Sequence, residues 1–521
     1  MRGVEIVLML VLIATVVAAF AQRWRVPPPS LLVVAGVLVG LVPHIPKIQI
    51  TPDLISLVVL PPLLFAAGED LSWPQLRRAW RPVVVLSVGL VLASAGAVAA
   101  VAGLVTPLPV SMAFLLGAIL ASTDPVAVTA LGRRLSLPPR LQTLVQAESL
   151  FNDATSLILF RISVVAAVAG GSLTVGGTAV QFALLAGGGL VAGAVVAAGV
   201  GLVRSHTEDP VVETVITLAT PYGAYVLAES FHASGVTAVV TASVILGVFA
   251  SRLSAPATRL HTAAVQGTVV FVLESVVFGI IGLALPDLIR RLSIAGQPWL
   301  LGSLVITATL LLARIAWVFP LVAIRRWRQD DAPSLRMAWR VPAVLSWAGA
   351  RGVVPLAAAL SIPLTDAAGT PVPLRDLVQV IATAVIVISL VVQGFTLAPL
   401  VRLTGLAIAP GDERAELARV RLHLAETALD YVQERLDLEA VAPVVAERVR
   451  RSLQTRFDLA QEAAIATGSI EADYRGLRRA VVLVQRAELE RLHHQEAASE
   501  STRRKLERQL DLEDARYGEE S

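Results

Sequence analysis

From its start to about residue 402 the chain is a succession of apolar stretches separated by short turns bearing Pro, Gly or Arg. A bilayer's hydrocarbon core is about 30 Å thick and takes roughly 20 helical residues to cross, which is the unit of the pattern. Thirteen stretches are read in this way, at 4–20, 29–43, 53–67, 82–105, 109–131, 141–168, 177–203, 211–229, 235–251, 265–285, 298–323, 340–362 and 374–402. The expected fold class is therefore an all-α polytopic membrane protein. The pattern changes near Thr404, where Glu and Arg begin to alternate with Leu417, Val420, Leu424 and Tyr431, and later with Leu477, Val481 and Val484. Apolar residues at helical spacing in a charged background predict amphipathic helices outside the membrane. Two domains are expected, a transmembrane one over 1–403 and a helical tail over 404–521.

Composition narrows the function. The 521 residues are 55% hydrophobic and 16% charged, with a mean hydropathy of +0.72, against about 25% charge in ordinary globular domains. Disordered, fibrous and nucleic-acid-coating classes are excluded, and no nucleic-acid partner is expected. The net charge of +3 reflects arginines that flank the apolar stretches. Counted over alternate loops, sixteen basic residues, among them Arg77, Arg78, Arg81, Arg204, Arg252 and Arg259, lie on one side, against Arg2, Lys47, Arg290, Arg291 and Arg375 on the other. The positive-inside rule makes the richer side cytoplasmic, which places the N-terminus outside and, after an odd number of crossings, the tail inside. Ala18-Ala19-Phe20-Ala21 resembles a signal-peptide cleavage site, but Arg23 and Arg25 follow the apolar run rather than precede it. Without cysteine there are no disulfides, thiolate metal sites or cysteine nucleophiles.

Charges within the stretches carry the chemistry. Each costs about 2.5–3.5 kcal/mol at the centre of a membrane helix unless it is paired, neutralised or hydrated. Six stand out: Asp124, Glu148, Asp153, Glu274, Arg314 and Arg351. Asp124 precedes Pro125 in the middle of the fifth stretch, and proline removes a backbone donor and clashes with the preceding turn. A break is predicted there, with Ser122, Thr123 and Asp124 beside it, and irregular backbone at that depth survives only where it lines a cavity. Gly349, Gly352 and Pro355 around Arg351 predict a second interruption, in the twelfth stretch. If stretches one to six and eight to thirteen are two repeats, both breaks fall in the fifth member of their half, the arrangement that marks a secondary transporter's site. In the sixth stretch, 100° per residue puts Ser149 and Asp153 on one face with Asn152 beside them, and Glu148 about 140° from Asp153. Glu148 is expected to point sideways to a cation such as Arg351.

These residues resemble the sodium/proton exchanger family of monovalent cation/proton antiporters, particularly its prokaryotic members. The likeness rests on Leu60-Pro61-Pro62-Leu63-Leu64-Phe65, Ser122-Thr123-Asp124-Pro125, Glu148-Ser149 with Asn152-Asp153, Glu274 with Phe278 and Gly282, and Gly349-Ala350-Arg351-Gly352. The tail segment Leu510 to Arg516 also looks like the end of bacterial members. The resemblance implies two inverted repeats with crossed, interrupted helices, a homodimer in the bacterial inner membrane, and sodium and pH homeostasis. It implies that Asp153 carries the cation or the proton, with Asp124, Ser149 and the Thr123 carbonyl as further ligands of a monovalent cation. Asn152 would sit beside the site, and Glu148 with Arg351 would form a stabilising ion pair. In related antiporters a second Asp at the position of Asn152 accompanies charge-moving exchange, so Asn152 implies electroneutral exchange. Several members carry an acid where this chain has Ala66.

Desolvation favours the neutral form of a carboxylic acid and a bound cation the ionised form, so proton and cation compete for one group. Na⁺ suits an all-oxygen ligand set, as do Li⁺ and K⁺. No cofactor and no enzymatic activity are expected, because no membrane stretch carries a nucleophile–base pair, and His44, His206, His232 and His261 have no metal-ligand spacing. The rival is a cation channel or uniporter using the same cavity. Glu274 is open between a helix contact and a transport role, and Arg314 is expected to be paired or snorkelling.

Overall fold

The structure is a computed structural model that describes residues 28–42, 52–124, 137–169, 175–207, 209–294, 296–327, 339–366, 369–406, 410–437, 442–465, 469–495 and 500–518, together with 12 and 15–17. The chain separates into two compact units, Met1–Ala407 and Ile408–Ser521.

The first unit is built from helices α1 (Pro28–Gly40), α2 (Pro52–Val58), α3 (Leu60–Glu69), α4 (Trp73–Val105), α5 (Val110–Ala121), α6 (Pro139–Ala169) and α7 (Val175–Arg204). It continues with α8 (Pro210–Ser230), α9 (Gly235–Leu253), α10 (Pro256–Ile294), α11 (Trp299–Trp327), α12 (Arg340–Trp347), α13 (Val353–Leu360) and α14 (Arg375–Thr404). Seven of these, α4, α6, α7, α8, α10, α11 and α14, contain spans long and apolar enough to cross a membrane, while α1, α2 with α3, α5 and α9 provide shorter apolar helices. The first predicted stretch, 4–20, lies almost wholly outside the described residues.

Local signals place the boundaries. Asp209 caps α8, its carboxylate accepting from the Val211 amide at 2.7 Å and that of Val212 at 3.4 Å, with Pro210 next, as expected where a helix start leaves its first amides unpaired. Ser234 accepts from the Thr237 amide at the start of α9. The fourth and tenth helices outrun their apolar windows: α4 begins at Trp73 rather than 82, and α10 runs from Pro256 to Ile294 rather than over 265–285. Hydropathy marks the part of a helix that sits in lipid, and these helices continue into polar turns at their ends. Within α4, Pro82 has no amide to donate, and Val85–Leu90 follows as a π-helical stretch.

One close crossing ties α10 to α1. A Cβ at Gly36 would lie 2.7 Å from the Gly279 carbonyl oxygen and 2.9 Å from Gly282 Cα, so these backbones meet where only glycine fits.

The second unit consists of α15 (Pro410–Asp437), α16 (Pro443–Ile465), α17 (Ser469–His494) and α18 (Glu500–Gly518). The last two are joined by Arg486 to Asp511 at 2.7 Å and to Asp514 at 3.3 Å. Leu417, Val420, Leu424 and Tyr431 are exposed, so the apolar stripe of α15 is not buried within the chain.

Candidate functional site

The cavity begins at the end of α5. The helix stops at Ala121, and Ser122–Asp124 run on without helical structure, Ser122 being extended. The predicted break is present; what lies beyond Asp124 in the fifth stretch falls outside the described residues. The break is held by one face of α6. Ser122 donates its hydroxyl to Asp153 Oδ1. Ser149 Oγ donates to the Thr123 carbonyl at 2.5 Å. Asn152 Nδ2 donates to Thr123 Oγ1 at 2.6 Å, while its Oδ1 accepts from the Thr123 amide at 3.3 Å. Ser156, absent from the sequence reading, donates to the Ala118 carbonyl at 2.7 Å. Positions 149, 152, 153 and 156 make up one helical face, so Ser156 was accessible to the same reasoning had it run one turn further.

The second interruption lies between α12 and α13, at Ala348–Gly352. The Asp124 amide donates to the Ala350 carbonyl at 2.7 Å, and Arg351 Nε donates to the Leu120 carbonyl at 3.1 Å, so the two breaks meet. Arg351 Nη1 also donates to the Gly349 carbonyl. Its backbone amide donates to Ser389 Oγ of α14 at 3.1 Å, and Ser389 in turn donates to Gln393 Oε1 at 2.7 Å. Gly352 packs against Asp124 so closely that a Cβ would overlap the carboxylate.

The expected pairing of Glu148 with Arg351 needs correction. Glu148 is held in bidentate fashion by Arg314 of α11, Nη1 to Oε1 at 2.5 Å and Nη2 to Oε2 at 3.0 Å. Both side chains are buried, at 2% and 1% exposure. Arg314 also donates to the Leu345 carbonyl, from Nε at 3.2 Å and Nη2 at 3.1 Å. The reason is local: a broken helix leaves carbonyls without amide partners, and Arg351, inside the break, spends its donors on them. Arg314 sits on an intact helix whose carbonyls are already bonded, so its planar fork is available for the carboxylate. The angular reading of α6 holds to this extent, that Glu148 faces α11 while Ser149 and Asp153 face the cavity.

That cavity, of about 450 Å³, is lined by Thr123, Asp124, Ser149 and Asp153 at the break, by Leu63, Leu64, Ala66, Ala67 and Asp70 from α3 and its end, and by Val353, Val354 and Pro355 of α13. From α10 come Ala263, Gln266, Gly267, Val270 and Glu274, a stripe at helical spacing. Among the described residues, four that bear carboxylates reach this space and no basic residue lines it. Asn152 is buried at 1% exposure against Thr123 rather than on the cavity wall. Among the described residues no group of His, Cys, Asp and Glu has the composition of a metal centre.

Over residues 9–403 the chain matches the family described as Sodium/hydrogen exchanger, transmembrane. It belongs to the sodium/hydrogen exchanger family. Relatives of this exchanger include an "Uncharacterized Na(+)/H(+) exchanger" of Mycobacterium tuberculosis, 32% identical over 98% of this chain and 96% of its own length. The Na(+)/H(+) antiporter ApNhaP of Aphanothece halophytica is 33% identical over 83% of this chain and 78% of its own. Among solved structures, the sodium proton antiporter MjNhaP1 of Methanocaldococcus jannaschii at pH 8 superposes with a TM-score of 0.65 at 20% identity, covering 78% of this chain and all of that one. The fold is thus that of MjNhaP1, and the exchanger is a multi-pass membrane transporter whose family and relatives support Na⁺/H⁺ antiport.

Chemically the arrangement offers an anionic, oxygen-lined space beside irregular backbone. A carbonyl that accepts one hydrogen bond keeps a second lone pair, so Thr123 can bond Ser149 and still face an ion. Hard monovalent cations and protons are the species such oxygens take.

Proposed function

We propose that this exchanger moves a monovalent cation, Na⁺ foremost with Li⁺ and K⁺ as further substrates, in one direction and H⁺ in the other, one for one, from a single site. Asp153 is the carrier carboxylate, holding either the cation or the proton. Asp124, Ser149 and the Thr123 carbonyl complete the cation's ligands, with Asn152 fixing Thr123. The observation that carries this is that Asp153 and Asp124 open on one cavity together with Ser149 and Thr123, with no basic residue among the described residues lining it. A wall of carboxylates and neutral oxygens leaves its charge to be balanced by the transported ions.

Exchange then follows from competition. Protonation removes the charge that holds the cation, and the cation disfavours protonation. A site that changes its open side only when occupied couples the two gradients. The two breaks, touching through Asp124 and Ala350, are the hinge for that change in a scaffold of two inverted repeats and thirteen crossings. Positive-inside counting supports an outside N-terminus and a cytoplasmic tail from about residue 404. A homodimer in the plasma membrane, serving sodium and pH homeostasis, completes the assignment.

The test uses purified protein in sealed liposomes with an internal pH dye, challenged with Na⁺, Li⁺ or K⁺ with and without an imposed membrane potential. Cation-driven pH change, insensitive to potential and lost in Asp153→Asn, is the expected result. Conduction that persists in that variant would instead identify a channel or uniporter. Asn152→Asp adds a carboxylate beside the site and is expected to make exchange sensitive to potential. Because proton and cation compete, the half-saturating Na⁺ concentration is expected to rise as pH falls, by up to about tenfold per pH unit.

A further inference from the structure

Glu274, like Asp70, is a cavity carboxylate that the exchange scheme leaves without a role. It lies on the α10 stripe, eleven residues beyond Ala263 on the same cavity wall, or about 16 Å along the axis at 1.5 Å per residue, which puts it at the far end of the stripe. Among the described residues it makes no hydrogen bond and no ion pair, and it lines the same cavity as Asp124. The other acids in this region are committed. Asp153 accepts from Ser122, Glu148 is clasped by Arg314, and Glu69, at the end of α3, accepts from Gln266 Nε2 at 3.1 Å. The α3 wall facing the cavity adds Ala66 and Ala67, which carry no charge, and Asp70. Asp70, Asp124, Asp153 and Glu274 line this cavity, with no basic residue among the described residues of its wall. Carboxylates that share a cavity resist ionising together, so an ion on Asp153 alone does not relieve the repulsion between Glu274 and Asp124.

We infer that Glu274 and Asp124 form a like-charge pair across the cavity that shares one exchangeable positive ion, the transported cation or a proton, beside Asp153. This deepens the antiport assignment and rests on it for the identity of the ion. A helix contact alone would not place an unbonded carboxylate on the open wall of an anionic cavity.

The test compares wild type, Glu274→Gln and Glu274→Asp in two measurements: Na⁺-driven exchange in liposomes across a range of Na⁺ concentrations, and the rise in melting temperature that Na⁺ gives the purified protein. The second reads binding directly, because a ligand that binds the native state stabilises it. Glu274→Gln is expected to raise the half-saturating Na⁺ concentration on the order of tenfold, with the maximal rate largely retained and the Na⁺-induced stabilisation reduced. Glu274→Asp, which keeps the charge, is expected to restore most of both. An unchanged half-saturating concentration and unchanged Na⁺ stabilisation in Glu274→Gln would overturn the pair. So would equal loss of melting temperature without Na⁺ in both variants together with wild-type Na⁺ affinity, since that is the signature of a helix contact. A wild-type protein that Na⁺ stabilises but that exchanges nothing would sink antiport, and the binding comparison would still decide Glu274. No effect of Na⁺ on wild type in either measurement would overturn both.

Discussion

The break at Ser122–Asp124 and the break at Ala348–Gly352 touch, yet they satisfy their exposed backbone differently, the second alone with an arginine of its own. The first relies on a neighbouring helix: Ser149, Asn152 and Ser156 of α6 bond Thr123 and the carbonyl of Ala118. Its own side chains are thereby left to face the cavity, and Asp124 does so. The second carries its own donor, Arg351, which bonds Gly349 within its own break and Leu120 in the other. One break is thus held by side chains of α6 and leaves Asp124 on the cavity wall, whereas the other is held in part by its own Arg351, with Arg314 on the Leu345 carbonyl and Ser389 accepting from the Arg351 amide. Pairing an irregular segment with side chains is a requirement in the membrane, and the choice of which side chains decides what remains for transport.

That comparison can be broken or sharpened by substitution. The largest structural effect is expected at the pair outside both breaks: Arg314→Leu leaves Glu148 buried without its partner and should cost about 3–5 kcal/mol, read as a collapse in melting temperature. Arg351→Gln removes charge-assisted bonds to two carbonyls and should cost less, about 1.5–3 kcal/mol. If Arg351→Gln proved the more damaging of the two, the second break would be the molecule's main structural anchor and Glu148 would depend on it. Gly352→Ala inserts a methyl where the Asp124 carboxylate sits and is expected to impair exchange more than stability, by pushing the breaks apart. Ser156→Ala should be the mildest, about 0.5–1.5 kcal/mol with exchange retained, because it touches the helix before the break and not the cavity.

The sequence made the two interruptions visible through proline and glycine, and the face of α6 through its period, because both signals are contained in a few adjacent residues. It placed Ser149 and Asp153 on the side that meets the break, and Glu148 on another. It did not assign Glu148 its arginine. Arg314 and Arg351 are both buried cations in apolar stretches, and choosing between them depends on which helix approaches α6 from that side, which no local pattern records. The role left open for Glu274 had the same cause, since its position on the cavity becomes apparent only when the α10 stripe is set opposite α3 and the breaks. The α10 ends at Pro256 and Ile294 were missed because hydropathy reports lipid, whereas a helix continues for as long as its backbone bonds do.

The contact between Gly36 and Gly282 bears on mechanics as well as packing. With backbone against backbone at Gly36 and Gly282 there is little side-chain slack between α1 and α10, so a tilt of one at this point presses directly on the other. Because α10 also carries Gln266, Val270 and Glu274 on the cavity wall, bulk added at Gly36 or Gly282 acts as a wedge on the helix that bears that wall.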